Sequence, residues 1–334
     1  MIEFGRFRTA ALLSLLILAV AVPASAELVT SHEKAVNGYP DLVRRSVEFW
    51  SDGTRLAGDI TYPKGLKAGE KLPCIVLCHG WGGKKSHLNI QIGPMFAQAG
   101  YVVFTFDYRG WGESDSRLVM LDPMPKPGAD GKVTVTALAI RELVDPLDQQ
   151  EDIDAALSFV EGESIVDADR IGIWGSSFGG GHVIWRAAHD RRVKCVVSQV
   201  GAMDQRLGLI RSNALAKAQA DKIKRARGEI PPVPLGDDKP EGLVGSPYYD
   251  RFMDFVPVDY TDRITVPVMI IDAELEHYFD NRDHGQRVYE KLVGRVPVEF
   301  HEFKGMKHYD VYSKNLKDAM ALEIPWFDKY LKGE

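Results

Sequence analysis

The sequence predicts an α/β fold, in which a mostly parallel sheet is covered by helices on both faces. Three observations carry this expectation. Short runs that are apolar at every position recur along the chain, as strands buried on both faces require. Helical patterns fill the spaces between them. A hairpin signal lies at the start of the folded region, where an antiparallel pair can close one edge of a sheet.

The elements follow in order. Arg45 to Trp50 and Arg55 to Tyr62 flank the turn Ser51-Asp52-Gly53, an Asp-Gly hairpin. Cys74-Ile75-Val76-Leu77-Cys78 is a buried strand that runs into His79-Gly80-Trp81-Gly82-Gly83. A helix over Ile90 to Ala99 ends at Gly100, which suits the left-handed position after a helix. The strand Tyr101 to Phe106 leads into Asp107-Tyr108-Arg109-Gly110-Trp111-Gly112-Glu113-Ser114, and residues 115–147, with four prolines, read as a loop. A helix over Gln149 to Val160 precedes the strand Arg170 to Trp174, which meets Gly175-Ser176-Ser177-Phe178-Gly179 and a helix from Gly180 to His189. Strands over Val193 to Val200, Val268 to Ile271 and Val298 to Phe303, then a helix from Lys314 to Leu331, complete the pattern. Residues 204–262 separate two successive strands, too far for a plain connection, and read as an inserted lid with a helical part over Gln205 to Arg227.

The first 26 residues stand apart from this fold. Arg6 and Arg8 give a positive start, Ala10 to Val22 carries no charge, and Ala24-Ser25-Ala26 offers small residues for cleavage. That is the layout of a secretory signal peptide, so the domain is read as 27–334 and its place as periplasmic or secreted. The apolar run is too short to span a bilayer comfortably, which predicts no stable membrane anchor. A net charge of −6 argues against nucleic acid as a partner, and the basic run Lys222 to Arg227 reads as a solvated helix face. Of the three cysteines, Cys74 and Cys78 are four apart on one strand, roughly 13 Å, beyond the reach of a disulfide. All three read as buried thiols acting as small hydrophobes.

The chemistry concentrates where strands end. Gly-x-Ser-x-Gly between a strand and a helix is a nucleophile elbow, a turn so tight that only glycine fits beside the serine. Ser177 then needs a base, since a serine hydroxyl is a poor nucleophile near neutral pH. His308, just past the last strand, is better placed than His301, which lies within the strand pattern. The acid that orients His308 should follow the strand ending at Ile271. Glu276 has the usual reach, with Glu274 and Asp280 as rivals, while Asp272 is still in the strand. An oxyanion hole needs two N–H groups, and those of Phe178 and Trp81 are the candidates. Glu274, Glu276, His277, Asp280, Asp283 and His284 crowd one stretch, but their spacing matches no zinc pattern, so neither a metal nor another cofactor is implied.

With these residues in view, the chain resembles an α/β-hydrolase over nearly all of residues 42 to 334. Val47 to Leu56, Asp107 to Ser114 and Gly175 to Gly180 are similar to the branch holding Xaa-Pro dipeptidyl-peptidase-like and dienelactone-hydrolase-like proteins. In such families the strand before the acid often reads Pro-Val-Leu-Ile-Ile-His-Gly-x-x-Asp. Laid on Pro267 to Glu276, that pattern implies Glu276 as the acid, with Glu for Asp and Asp272-Ala273 for His-Gly. The resemblance implies an α/β-hydrolase fold with an inserted lid and hydrolysis of a small-molecule ester, lactone or related acyl substrate. Peptide, amide or C–C bond hydrolysis would use the same site, and a binding protein that has lost its chemistry is the alternative from another class. Peptidases of this branch carry added β-sandwich domains, which this chain is too short to hold. Trp81, Trp111, Tyr248, Tyr249, Phe252 and Phe255 are candidates for an apolar pocket.

Overall fold

The computed structural model describes residues 33–334 except 212–213 and 235–241. The signal peptide read over residues 1–26 lies outside the described residues. The strands are β1 (Lys34–Val36), β2 (Tyr39–Ser51), β3 (Thr54–Pro63), β4 (Leu72–Cys78), β5 (Val102–Phe106), β6 (Leu118–Met120), β7 (Ala137–Ala139), β8 (Leu143–Val144), β9 (Val166–Ser176), β10 (Val193–Gln199), β11 (Ser246–Pro247), β12 (Val268–Leu275) and β13 (Val298–Lys307). The helices are α1 (Lys85–Leu88), α2 (Ile92–Gln98), α3 (Pro146–Glu161), α4 (Phe178–Ala187), α5 (Arg206–Arg211), α6 (Ala214–Ala226), α7 (Tyr249–Phe252), α8 (Gly285–Leu292) and α9 (Leu316–Phe327).

Nine strands form one sheet in the order β1-β2-β3-β5-β4-β9-β10-β12-β13. The opening strands pair antiparallel at one edge, and everything from β5 to the far edge is parallel. The chain moves from β4 to β5 on one side, then returns to place β9 on the other. That reversal opens a crevice at the carboxyl ends of β4 and β9, where open α/β sheets bind ligands. The turn after β4 holds His79 to Gly83, and the turn after β9 holds Ser177. One apolar layer packs α3, α4 and α8 on the sheet through Ile153, Leu157, Val183, Ile184, Val288 and Leu292. The other packs α2 and α9 through Phe96, Ala97, Met320, Trp326 and Phe327. Cys74, Cys78 and Cys195 are free and buried within these layers, and burial pushes the Cys78 thiol up to about 12.

Several expectations need correction. The helix read over Ile90 to Ala99 is the shorter α2, and a separate turn of helix, α1, precedes it. Pro94 cannot donate a backbone hydrogen bond, so it sits in a first turn, and α2 starts afresh at Ile92. Residues 115–147 are not simply a loop, because β6 and β7 pair into an antiparallel ribbon and β8 pairs with β11. The last helix stops earlier: α9 contains Pro325, and π-type turns take over from Asp328 to Lys332. The strand before His308 extends to Lys307, so His308 opens a 3₁₀ turn rather than lying within a loop.

The Asp107 to Ser114 segment is fixed by an ion pair taken almost wholly out of water. The Asp152 carboxylate on α3 accepts the Arg109 backbone N–H and Nε–H, each at 2.8 Å, and Arg109 Nη2 also donates to Ser51 Oγ. Asp152 is fully buried, so removing its charge leaves the buried guanidinium with only the exposed Glu151 carboxylate, 3.2 Å from Nη2, as its ion-pair partner. Asp152→Ala is expected to lower the unfolding free energy by about 3–5 kcal/mol. Urea unfolding followed by circular dichroism measures this, with the slope compared against the parent to check that the transition stays two-state.

Candidate active site

Ser177 lies between β9 and α4 with φ +57° and ψ −123°, a backbone conformation that a residue with a side chain seldom adopts. Its surroundings hold it there. Its N–H donates to the Gln199 carbonyl at 2.9 Å, and its own carbonyl accepts the Ala202 N–H at 3.0 Å, both from the end of β10. A Cβ on Gly179 would overlap the Cys78 carbonyl, and one on Gly80 would lie 2.8 Å from Ser177 Cβ. Glycine is therefore required on both sides of the turn.

The structure brings Ser177, His308 and Glu276 together. His308 Nε2 lies 3.0 Å from Ser177 Oγ, and His308 Nδ1 lies 2.6 Å from Glu276 Oε2. The side chains of His308 and Glu276 are 1% and 2% exposed, so their hydrogen bond faces little competition from water. Burial works against ionisation of Glu276, but the hydrogen bond and charge of His308 outweigh it. The N–H groups of Tyr278 and His277 add to them, and the carboxyl sits below its ordinary value. An ionised acid on Nδ1 fixes the tautomer that leaves Nε2 able to accept a proton from Ser177.

The rivals are occupied elsewhere. Glu274 accepts the Gly305 N–H at 2.7 Å and pairs with Lys304, while Asp280 accepts the Arg282 N–H in the turn that follows. His301 pairs with Glu299 within β13. Asp272 is fully buried within β12, and neither of its carboxyl oxygens has a hydrogen-bond partner. Burial, then the charges of Glu276 and Glu302, push its carboxyl up to about 8, so it is neutral at pH 7.

Phe178 opens α4, so its N–H has no partner within the helix and lies directly after the serine. Trp81 lies in the turn after β4, and its ring is 5.7 Å from that of Phe178. Beside Ser177 is a cavity of about 310 Å³, bounded by Trp81, Phe178, Phe252, Tyr249, Tyr278 and Phe279 together with smaller residues. Of the aromatics singled out in the sequence, Trp81, Tyr249 and Phe252 reach it. Trp111 does not: it is buried behind the site and donates to the Leu143 carbonyl. Phe255 packs beneath Phe178 and His182, and Tyr248 packs against the small cluster around Ile140 and Leu143. A wider open groove of about 1050 Å³ runs between β2 and α3, but Ser177 is not among its lining residues.

Two supports were not foreseen. Ser176 Oγ lies 2.6 Å from the Tyr312 hydroxyl and accepts from Gln199 Nε2 at 2.9 Å. This ties the 3₁₀ turn that carries His308 to the strand that carries Ser177. His284 stacks on Phe279, and its Nδ1 accepts the Met203 N–H at 2.7 Å. Burial holds its imidazole down at about 4, so this acceptor stays neutral near pH 7. A tyrosine in the turn after His308 was the one sequence signal for the first bridge, and nothing in the sequence pointed to the second.

The sheet order, the strained serine turn and the hydrogen bonds around it define an α/β-hydrolase. The family model of the X-Pro dipeptidyl-peptidases (S15 family) matches residues 52–226, and the chain belongs to that family. It is similar to an uncharacterised 31.7 kDa protein of Escherichia coli, 28% identical over 289 residues that cover 78% of this chain and 92% of the relative. Among solved structures, the α/β hydrolase GrgF of Penicillium aligns with a TM-score of 0.64 and 21% identity, over 86% of this chain and 99% of that one. An acetyl xylan esterase of Paenibacillus aligns with a TM-score of 0.58 and 23% identity, over 89% and 88% of the two chains.

The neutral Asp272 makes stability depend on pH. An unfolded aspartate titrates near 3.9, so between about 4 and 8 the unfolded chain releases a proton that the fold retains. Stability therefore falls as pH rises through that window. Asp272→Asn copies the protonated shape and removes the effect. The variant is expected to melt higher than the parent at pH 9 and close to it at pH 4, as thermal scans at both values would show.

Proposed function

We propose that this protein is an exported serine hydrolase that cleaves a carboxylic ester or lactone through an acyl-enzyme. The observation that carries the reading is the continuous hydrogen-bonded path from Glu276 through His308 to Ser177 Oγ. His308 Nε2 takes the Ser177 proton as Oγ attacks the substrate carbonyl, and Glu276 balances the charge that forms on the imidazole. The negative oxygen of the tetrahedral intermediate is held by the Phe178 and Trp81 N–H groups. As it collapses, the bond to the leaving alcohol breaks and His308 gives that alcohol its proton. Water then repeats the sequence, releasing the acid and restoring Ser177. No metal or other cofactor enters these steps.

Membership of the S15 family favours a second reading, in which the bond cleaved is an amide and the substrate a peptide. The structural likeness to an acetyl xylan esterase supports the ester reading. Export rests on the charge, apolar run and small residues of positions 1–26.

Ser177→Ala is expected to abolish ester turnover and labelling by a fluorophosphonate probe while the circular dichroism spectrum stays that of the parent. Retained turnover would overturn the assignment of the nucleophile, and an unlabelled, inactive parent would point to a protein that binds without chemistry. For localisation, N-terminal sequencing of the protein from a cell fractionation is expected to start at Glu27 in the exported fraction. Finding only the uncleaved chain in the cytosol would refute export.

A further inference from the structure

The walls of the cavity beside Ser177 come from four parts of the chain. Trp81, Phe178 and Phe252 form an aromatic cluster, with ring centroids 5.4–5.7 Å apart. Tyr278 and Phe279, from the turn after β12, face it. Ala202, Gln205, Gly208, Ala214, Leu243 and Tyr249 complete the lining from the segment between β10 and β12, and the two alanines and the glycine leave the space open. The wall is anchored to the oxyanion turn. The Trp81 indole N–H donates to the Val244 carbonyl at 3.0 Å, and a Cβ on Gly82 would lie 3.2 Å from that same oxygen.

Among the described residues, none of this lining is charged, and besides Ser177 its polar groups are the Gln205 amide and two tyrosine hydroxyls. The substrate of a dipeptidyl-peptidase brings its terminal ammonium two residues from the bond to be cut. A charge of that kind finds no carboxylate partner among the described lining residues. An acyl chain needs none. The volume of about 310 Å³ stands at the low end for ligand pockets, which run from about 300 to 1,000 Å³. A methylene fills roughly the ~30 Å³ share of a water molecule, so the cavity holds on the order of ten chain atoms.

We propose that the cavity is the acyl-binding site and that it takes an uncharged, apolar acyl group of medium length, about six to ten carbons. The proposal rests on the serine-hydrolase reading above and adds which side of the ester selects the substrate. The carbonyl carbon joins Ser177 Oγ, its oxygen turns to the Phe178 N–H, and the chain runs between the aromatic cluster and Ala202. The leaving alcohol departs on the His308 side and takes no part in selection.

The test uses the purified full chain and two series of substrates. In the first, p-nitrophenyl esters run from acetate to palmitate; in the second, acetates of alcohols run from ethanol to decanol. The expected result is that kcat/KM rises up to about fourfold per methylene along the acyl series. It should peak between six and ten carbons and fall at least tenfold by sixteen, while the alcohol series stays flat. Ala214→Phe, which fills the cavity, should move the peak to shorter chains. Leu243→Ala should move it to longer ones, and serves where the bulky variant does not fold. Acetate cleaved with no preference for acyl length, a rise along the alcohol series instead, or faster cleavage of succinyl or aminoacyl esters would each overturn this proposal and leave the hydrolase reading standing. No cleavage of any ester by the folded parent would overturn the reading on which it rests.

Discussion

The backbone of Ser177 is the constraint on which the site depends. A serine at φ +57° is strained, and a strained residue persists only where its neighbours over-determine it. Here both backbone polar groups of Ser177 are bonded to the end of β10, and its neighbouring glycines leave no room for the chain to relax. The same geometry turns the first N–H of α4 toward the place where the serine oxygen reacts. One local turn thus sets three things at once: the exposure of the hydroxyl, the direction of α4, and the packing of β4 against β9.

Much of the site could be read in the sequence because its members stand at strand ends, and strand ends are marked by composition. Ser177 and His79 to Gly83 each follow an apolar run punctuated by glycine, and Glu276 comes five residues after the run that ends at Ile271. The sheet was legible for the same reason, since strands buried on both faces cannot hide polar residues. What escaped was set by contacts between residues far apart in the chain. The sequence places Asp272 within the strand, but only its burial among long-range neighbours shows that it is neutral and unpartnered. The Tyr312–Ser176–Gln199 bridge joins residues up to 136 positions apart, and each of its members is unremarkable in its own segment. The ribbon of β6 and β7 was hidden by prolines and glycines, which are usual in loops.

Buried polar groups divide into two kinds around the site. Glu276 and Asp152 remain charged partners of a base and a guanidinium, with every contact directional and short. Asp272 and His284 are buried in their neutral forms, one as an unpartnered carboxylic acid and the other as an acceptor for a backbone N–H. The division keeps net charge low beneath the serine. An ionised Asp272 would set a second negative charge close to Glu276 and alter the field felt by His308.

The position of His308 in the sheet has a consequence for how the molecule fails. Ser177 follows β9, an interior strand held on both sides by β4 and β10, whereas His308 follows β13, an edge strand that among the described residues pairs with β12 alone. Edge elements open at a lower free-energy cost than the centre of a domain. Ser177 therefore follows an interior strand and His308 an edge strand, with the Tyr312 bridge as a tether between them. Fraying of that margin parts His308 from Ser177 while the interior sheet remains paired. On the proposed serine-hydrolase reading, heating then costs the activity before it costs the fold.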